Sequence, residues 1–222
     1  MNLFGKFAEI SPVVWGILAA LVVLGVVIYL VTRSNAKWTT RMIANAALSI
    51  ALAFILSYIR LYKMPQGGSI TLASMLPIFM FAYAYGVAPG MLVGLCYGFL
   101  QWMQDGFYMV HPVEAVLDYL LAFAVLGLCG LAKGKKQVWA FPVGMLIGAF
   151  ARAVCAVTAG VIFFGSYAPE GQAPILYSLG YNGLYLIPET AICMIIGCIP
   201  QVRDLARKLA LNDGNGRPGK KA

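Results

Sequence analysis

The sequence predicts an all-α integral membrane protein, a single membrane domain of six or seven spanning helices. Composition, segmentation and the placement of charge all predict it. Hydrophobic residues occupy 61% of the 222 positions, charged residues only 11%, and mean hydropathy is +0.83. Soluble domains of this size are far more polar. A spanning helix needs about 20 apolar residues, so the length accommodates six or seven spans and no sizeable soluble domain.

Seven hydrophobic segments follow one another, at approximately 11–32, 39–62, 70–86, 88–104, 113–132, 138–164 and 174–200. Polar or turn-forming stretches separate them: Arg33–Lys37, Pro65–Ser69, Gly86–Gly90, Asp105–Pro112, Lys133–Gln137 and Gly165–Pro174. The first segment is too long for a signal peptide and lacks a small-x-small cleavage site before Arg33, so it reads as an uncleaved anchor. In the second, Ala44, Ala46, Ala47 and Ala51 are small residues at helical spacing. Ala47-xxx-Ala51 suits close helix approach, as an internal seam or as a docking face for another membrane protein. The expected organisation is an N-terminal helix and linker over 1–36, a membrane domain over 37–202 and a basic tail over 203–222.

The net charge of +8 does not indicate nucleic-acid binding, because the charges are not spread over a face. Twelve of the sixteen Lys and Arg residues fall in three clusters flanking apolar segments: Arg33–Arg41, Lys133–Lys136 and Arg203–Lys221. If the loop with Arg33 is inside and the spans alternate, all twelve are inside. Lys6, Arg60 and Lys63 are outside, and Arg152 is within the membrane. That asymmetry is the positive-inside pattern. It predicts an outer N-terminus, a cytoplasmic C-terminus, and outer loops at Pro65–Gly68, Asp105–Pro112 and Gly165–Pro174.

Five cysteines all lie in apolar segments without a CxxC pair and read as small buried residues. Gly134-Lys135-Lys136 is not a phosphate-binding loop, since the G-x-x-x-x-G-K-[ST] pattern is absent, and no G-x-S-x-G is present either. The chain therefore has no ATPase motif of its own.

Polar residues inside the spans carry the functional signal. Tyr177-Ser-Leu-Gly-Tyr181-Asn182-Gly-Leu-Tyr185-Leu-Ile-Pro188-Glu189 opens the last span. Tyr177, Tyr181 and Tyr185 share a helix face at i, i+4 spacing, with Ser178 and Asn182 on the adjacent row. Polar groups at membrane depth face a protein interior or a water-filled cavity, and aromatic faces beside hydrogen-bonding tips suit a flat polar cation. In His111-Pro-Val-Glu114-Ala-Val-Leu-Asp118-Tyr119, Glu114 fits a helix N-terminus, but Asp118 lies a turn deeper. A carboxylate there costs roughly 2.5–3.5 kcal/mol, which a cationic ligand or Arg152 would offset. His111, Glu114 and Asp118 also form a weak candidate metal or enzyme site, with no second His in the chain. Arg152 calls for a structural ion pair with Asp118, Glu114 or Glu189. Gly67-Gly68-Ser69 is a turn or a gate.

These motifs converge on one family. The chain resembles the thiamin-specific substrate-binding (S) components of energy-coupling factor (ECF) transporters, the ThiT/YuaJ-like family, over roughly residues 39–200. The resemblance rests on Pro65–Leu72, Tyr97-Gly-Phe-Leu-Gln101, Asp118–Phe123 followed by Leu126-Gly127, Gly160–Pro169 and Leu176–Glu189. It implies a six-helix bundle, to which residues 11–32 are extra, in a bacterial cell membrane. It implies high-affinity thiamin uptake from outside, with no cofactor, and partnership with a membrane coupling protein and two cytoplasmic ATPases. The implied ligand residues are Tyr97, Tyr108, Asp118, Tyr119, Gly160, Tyr177 and Asn182, with Phe164 as a further stacking face. Gln66, Gly67 and Gly68 are the implied gate loop, and Ala47 and Ala51 the implied partner-docking face. Where known members carry a His and a Trp, this chain has Ala156 and Phe164. A thiamin precursor or other related vitamin as ligand, or a stand-alone secondary transporter, are the alternatives.

Overall fold

The computed structural model describes residues 38–211 except Gln66 and Lys136, together with Gly16, Val23 and residues 25–30. Most of the expected N-terminal helix and linker, Gln66, and the tail beyond Leu211 therefore lie outside the described residues.

Six helical units form the bundle. Helix α1 spans Thr40–Tyr58, with the Thr39 hydroxyl accepting from the Met42 amide as its N-cap. A β-hairpin follows, β1 (Arg60–Lys63) pairing antiparallel with β2 (Ser69–Thr71). The sequence reading extends helical segments across both strands. The structure ends α1 at Tyr58 and spends the polar stretch on the hairpin. Its turn places Gly67 and Gly68 at positive φ, where a glycine costs least.

Helix α2 (Leu76–Tyr85) has ten residues and is about 15 Å long, half a bilayer core. Nine of its residues are buried, the pattern of a helix apolar on every side and enclosed by its neighbours. It stops at Gly86, whose φ of 101° lets the chain turn straight into α3 (Val87–Gln104). Asn45 on α1 donates to the Tyr85 hydroxyl at 2.6 Å and fixes α2 against α1.

The next unit, α4 (Pro112–Ala132), is not a regular α-helix. After one α turn it widens to a π-helix over Val116–Leu121, and it tightens to a 3₁₀-helix over Val125–Ala132. Glycines of both neighbours accept this irregular backbone. A Cβ on Gly94 would overlap the Phe123 carbonyl oxygen, and one on Gly98 would come within 2.5 Å of the Tyr119 carbonyl oxygen. On the far side, a Cβ on Gly144 or Gly148 would meet the Cys129 and Leu126 carbonyls at 2.8 and 2.9 Å. Close approach at glycine is how helices pack without a hydrophobic drive.

Helices α5 (Ala140–Phe163) and α6 (Pro174–Cys198) complete the bundle, and α7 (Pro200–Leu211) folds back against α2. It crosses the boundary expected at residue 202, and Ala206 is fully buried. Among the described residues four helices, α1, α4, α5 and α6, are long and apolar enough to cross a membrane. Gly25 of the N-terminal segment faces Leu121 on α4.

Candidate functional site

Three adjoining cavities open from the hairpin end of the bundle toward its middle. The mouth is lined by Arg60, Lys63, Gly67, Asp105, Tyr108 and Tyr119. The middle cavity is narrow and is lined by Thr71, Ser74, Gln101, Asp105, Asp118, Tyr119, Arg152, Tyr185 and Glu189. The side cavity, also narrow, is lined by Gly67, Asp118, Ala156, Gly160, Phe164, Tyr177, Ser178, Tyr181, Asn182 and Tyr185. Asp118 and Tyr185 border both inner cavities.

The π-turn puts Asp118 where it is. One extra residue per turn shifts the register of α4, and such insertions recur at functional sites. Among the described residues Asp118 accepts no hydrogen bond and forms no ion pair. Its half-buried carboxylate faces free space, whereas the other intramembrane carboxylates are engaged. Glu114 Oε2 accepts from the Val110 amide at 3.1 Å and closes the loop before α4. His111 Nδ1 accepts from the Val113 amide at 3.1 Å as a helix cap, and its ring stacks on Phe163. Neither lines the three cavities, so the grouping of His111, Glu114 and Asp118 into one reactive site is not assembled.

Arg152 lies 3.6 Å from Glu189, its guanidinium 4.2 Å from the Phe123 ring centre and against the Met75 sulfur. Glu189 Oε1 accepts from the Thr71 hydroxyl at 2.6 Å and from the Ser74 hydroxyl at 3.2 Å. Hairpin, α5 and α6 are thus joined by one buried polar cluster. Met75 and Ser74 were not singled out in the sequence, Thr71 entered only within the Pro65–Leu72 motif, and only the long-range fold brings them to the Arg152–Glu189 pair.

Along α6 the tyrosine row stands as a ladder, with ring centres 6.1 and 6.4 Å apart. Tyr181 donates to the Gly67 carbonyl at 3.0 Å, and a Cβ on Gly68 would lie 2.8 Å from the Tyr185 ring. The hairpin turn therefore rests directly on the row. Asn182 occupies the adjacent strip. Its amide donates to the Ser178 carbonyl at 3.0 Å and lies 3.4 Å from the Ala156 carbonyl, while Oδ1 accepts from Tyr185 at 2.9 Å. A ligand that engages Asn182 exchanges these bonds for its own.

Of the other residues that the resemblance implied, Gly160, Phe164 and Tyr177 share the side cavity with Asp118 and Asn182. Tyr108 and Tyr119 stand at the mouth. Tyr97 is fully buried behind the middle cavity, its ring edge-on to Phe123 and its hydroxyl 3.4 Å from the Ala53 carbonyl. Ala47 and Ala51 face outward from α1 with no interior role.

A profile described as thiamine transporter protein (Thia_YuaJ) matches residues 43–208, from the first turn of α1 into α7. The chain belongs to this thiamine transporter family. The match includes every cavity-lining residue named above and excludes the N-terminal segment. Among its relatives, the thiamine transporter ThiT of Bacillus subtilis is 35% identical over 179 residues, 75% of this chain and 92% of the relative. The thiamine transporter ThiT of Lacticaseibacillus paracasei is 29% identical over 174 residues, 70% and 84% of the two chains. A solved structure of ThiT from Listeria monocytogenes superposes with a TM-score of 0.66 at 27% identity, covering 76% of this chain and 96% of that one. The family fold is thus the all-helical membrane bundle described here.

Proposed function

We propose that this chain binds thiamin from outside the cell and carries it into the membrane as the substrate-specific subunit of an ECF-type transporter. Asp118 carries the proposal: an intramembrane carboxylate facing the junction of two cavities, with no hydrogen bond or contact ion pair among the described residues. Thiamin brings a permanent thiazolium charge, which offsets the cost of that carboxylate. Tyr177, Phe164 and Tyr119 offer aromatic faces to its rings, and Asn182 can donate to and accept from the aminopyrimidine edge.

The charges support this orientation. Arg60, Lys63, Asp105 and Glu170 belong to the hairpin end, while Arg41, Lys133, Lys135, Arg203, Arg207 and Lys208 belong to the opposite end. The second set fits a cytoplasmic face and leaves the cavity mouth outside. The outward face of α1 at Ala47 and Ala51 fits a coupling protein, whose two ATPases would supply the hydrolysis for which this chain has no motif.

Titration of purified protein with thiamin, followed by intrinsic fluorescence, tests the proposal. Saturable binding below micromolar ligand is expected, and none at micromolar ligand sinks it. Ala156, which leaves the side cavity wall short, favours a second reading in which an isolated pyrimidine or thiazole fragment is the ligand. Fragments that compete as well as thiamin would support that reading instead.

A further inference from the structure

Two carboxylates mark the route from the mouth to the side cavity. Asp105, at the C-cap of α3, borders the mouth and the middle cavity; Asp118 borders the middle and side cavities. Two cations, Arg60 and Lys63, also line the mouth, where they repel a positively charged ligand. Asp105 answers one of them. Its Oδ1 accepts from Arg60 Nη2 at 3.1 Å, and its Oδ2 accepts from the Tyr119 hydroxyl at 3.3 Å.

The two ion pairs lining the cavities differ in what they can do. Arg152 and Glu189 have side chains 10% and 2% exposed, and separating them strands a buried charge. Arg60 and Asp105 are each 24% exposed, so solvent reaches them and screens their attraction more than that of the buried pair. Arg60 also sits on the short hairpin, not on a spanning helix. Asp105 is therefore the carboxylate that can trade its partner.

We propose that Asp105 is the first docking point for the ligand's positive charge. In the empty protein Arg60 occupies it; the arriving cation displaces Arg60, then moves inward to Asp118. Asp105 thereby selects cationic over neutral ligands kinetically. This inference rests on the proposed thiamin function and adds a residue outside the set implied by family resemblance.

Stopped-flow fluorescence with thiamin, at several ionic strengths, tests it on the wild type, Asp105→Asn and Arg60→Gln. Asp105→Asn is expected to slow association about tenfold and flatten its salt dependence, with dissociation changed less than about twofold. Arg60→Gln is expected to speed association. A purely structural latch predicts the same sign for both variants, since each breaks the same pair. Both slowing association, or Asp105→Asn acting only on dissociation, overturns the inference while the thiamin function stands. A wild type that does not bind thiamin overturns both.

Discussion

Gly160 on α5 lies directly against Ser178 on α6: a Cβ at position 160 would overlap the Ser178 hydroxyl and come within 3.1 Å of the Asn182 amide nitrogen. Ser178 is held there by donating to the Val157 carbonyl at 2.8 Å. The contact sets the separation of the two helices that wall the side cavity. Gly160→Ala is expected to cost about 1–3 kcal/mol of stability through overpacking and to weaken thiamin binding about tenfold or more, since 1.4 kcal/mol is a factor of ten. Thermal unfolding in detergent and ligand titration read the two effects separately. Unchanged affinity would remove Gly160 from the site.

In the proposed function Asp118 supplies charge to the ligand and not to the fold. Asp118→Asn keeps shape and removes charge. It is expected to weaken thiamin binding about 10- to 100-fold, the scale of a lost charged contact of about 1.5–3 kcal/mol. Unfolding temperature is expected to hold or rise, since an intramembrane charge disappears. Asp118→Glu is expected to retain binding. A large loss of stability in Asp118→Asn would instead identify a structural carboxylate.

The Arg152–Glu189 pair calls for the opposite pattern. Glu189→Ala strands the guanidinium, and loss of one partner of a buried pair costs about 3–5 kcal/mol. The double variant Arg152→Met with Glu189→Leu is expected to be more stable than Glu189→Ala alone. Unfolding curves of the wild type and both variants decide this, and a double variant no more stable than Glu189→Ala would deny the pairing.

Ala47→Leu and Ala51→Leu place bulk on the outward face of α1. Both variants are expected to bind thiamin as the wild type does in purified form and to lose most uptake in cells with the partner subunits. Equal uptake by wild type and variants would leave that face without a docking role.

Much of the fold was legible because membranes impose simple rules. Six bundle segments could be counted from apolar runs, and their breaks at Asp105–Pro112 and Gly165–Pro174 match the helix ends. The hairpin was not legible: Arg60–Lys63 and Ser69–Thr71 are too short for a period-two pattern to outweigh the apolar runs beside them. Nor was the π-turn, because Val116–Leu121 has the composition of any spanning helix. One available signal went unread. Gly90, Gly94 and Gly98 recur every four residues on α3, and that stripe is where the irregular α4 backbone lies. Asp105 gave no signal beyond a loop carboxylate, since its partners Arg60 and Tyr119 are 45 and 14 residues away.

The sequence by itself determined the membrane domain, the asymmetry of its basic residues and the polar row on the last span, because each depends on residues close together in the chain. The tertiary structure alone decided that Arg152 sits with Glu189, that Asp118 is left facing free space, and that Tyr97 is packed behind the cavity instead of lining it. The first and last outcomes depend on how separate helices pack, and the position of Asp118 on how far α4 turns between its glycine-lined neighbours. A π-turn changes which way every following side chain points, and no local pattern records it.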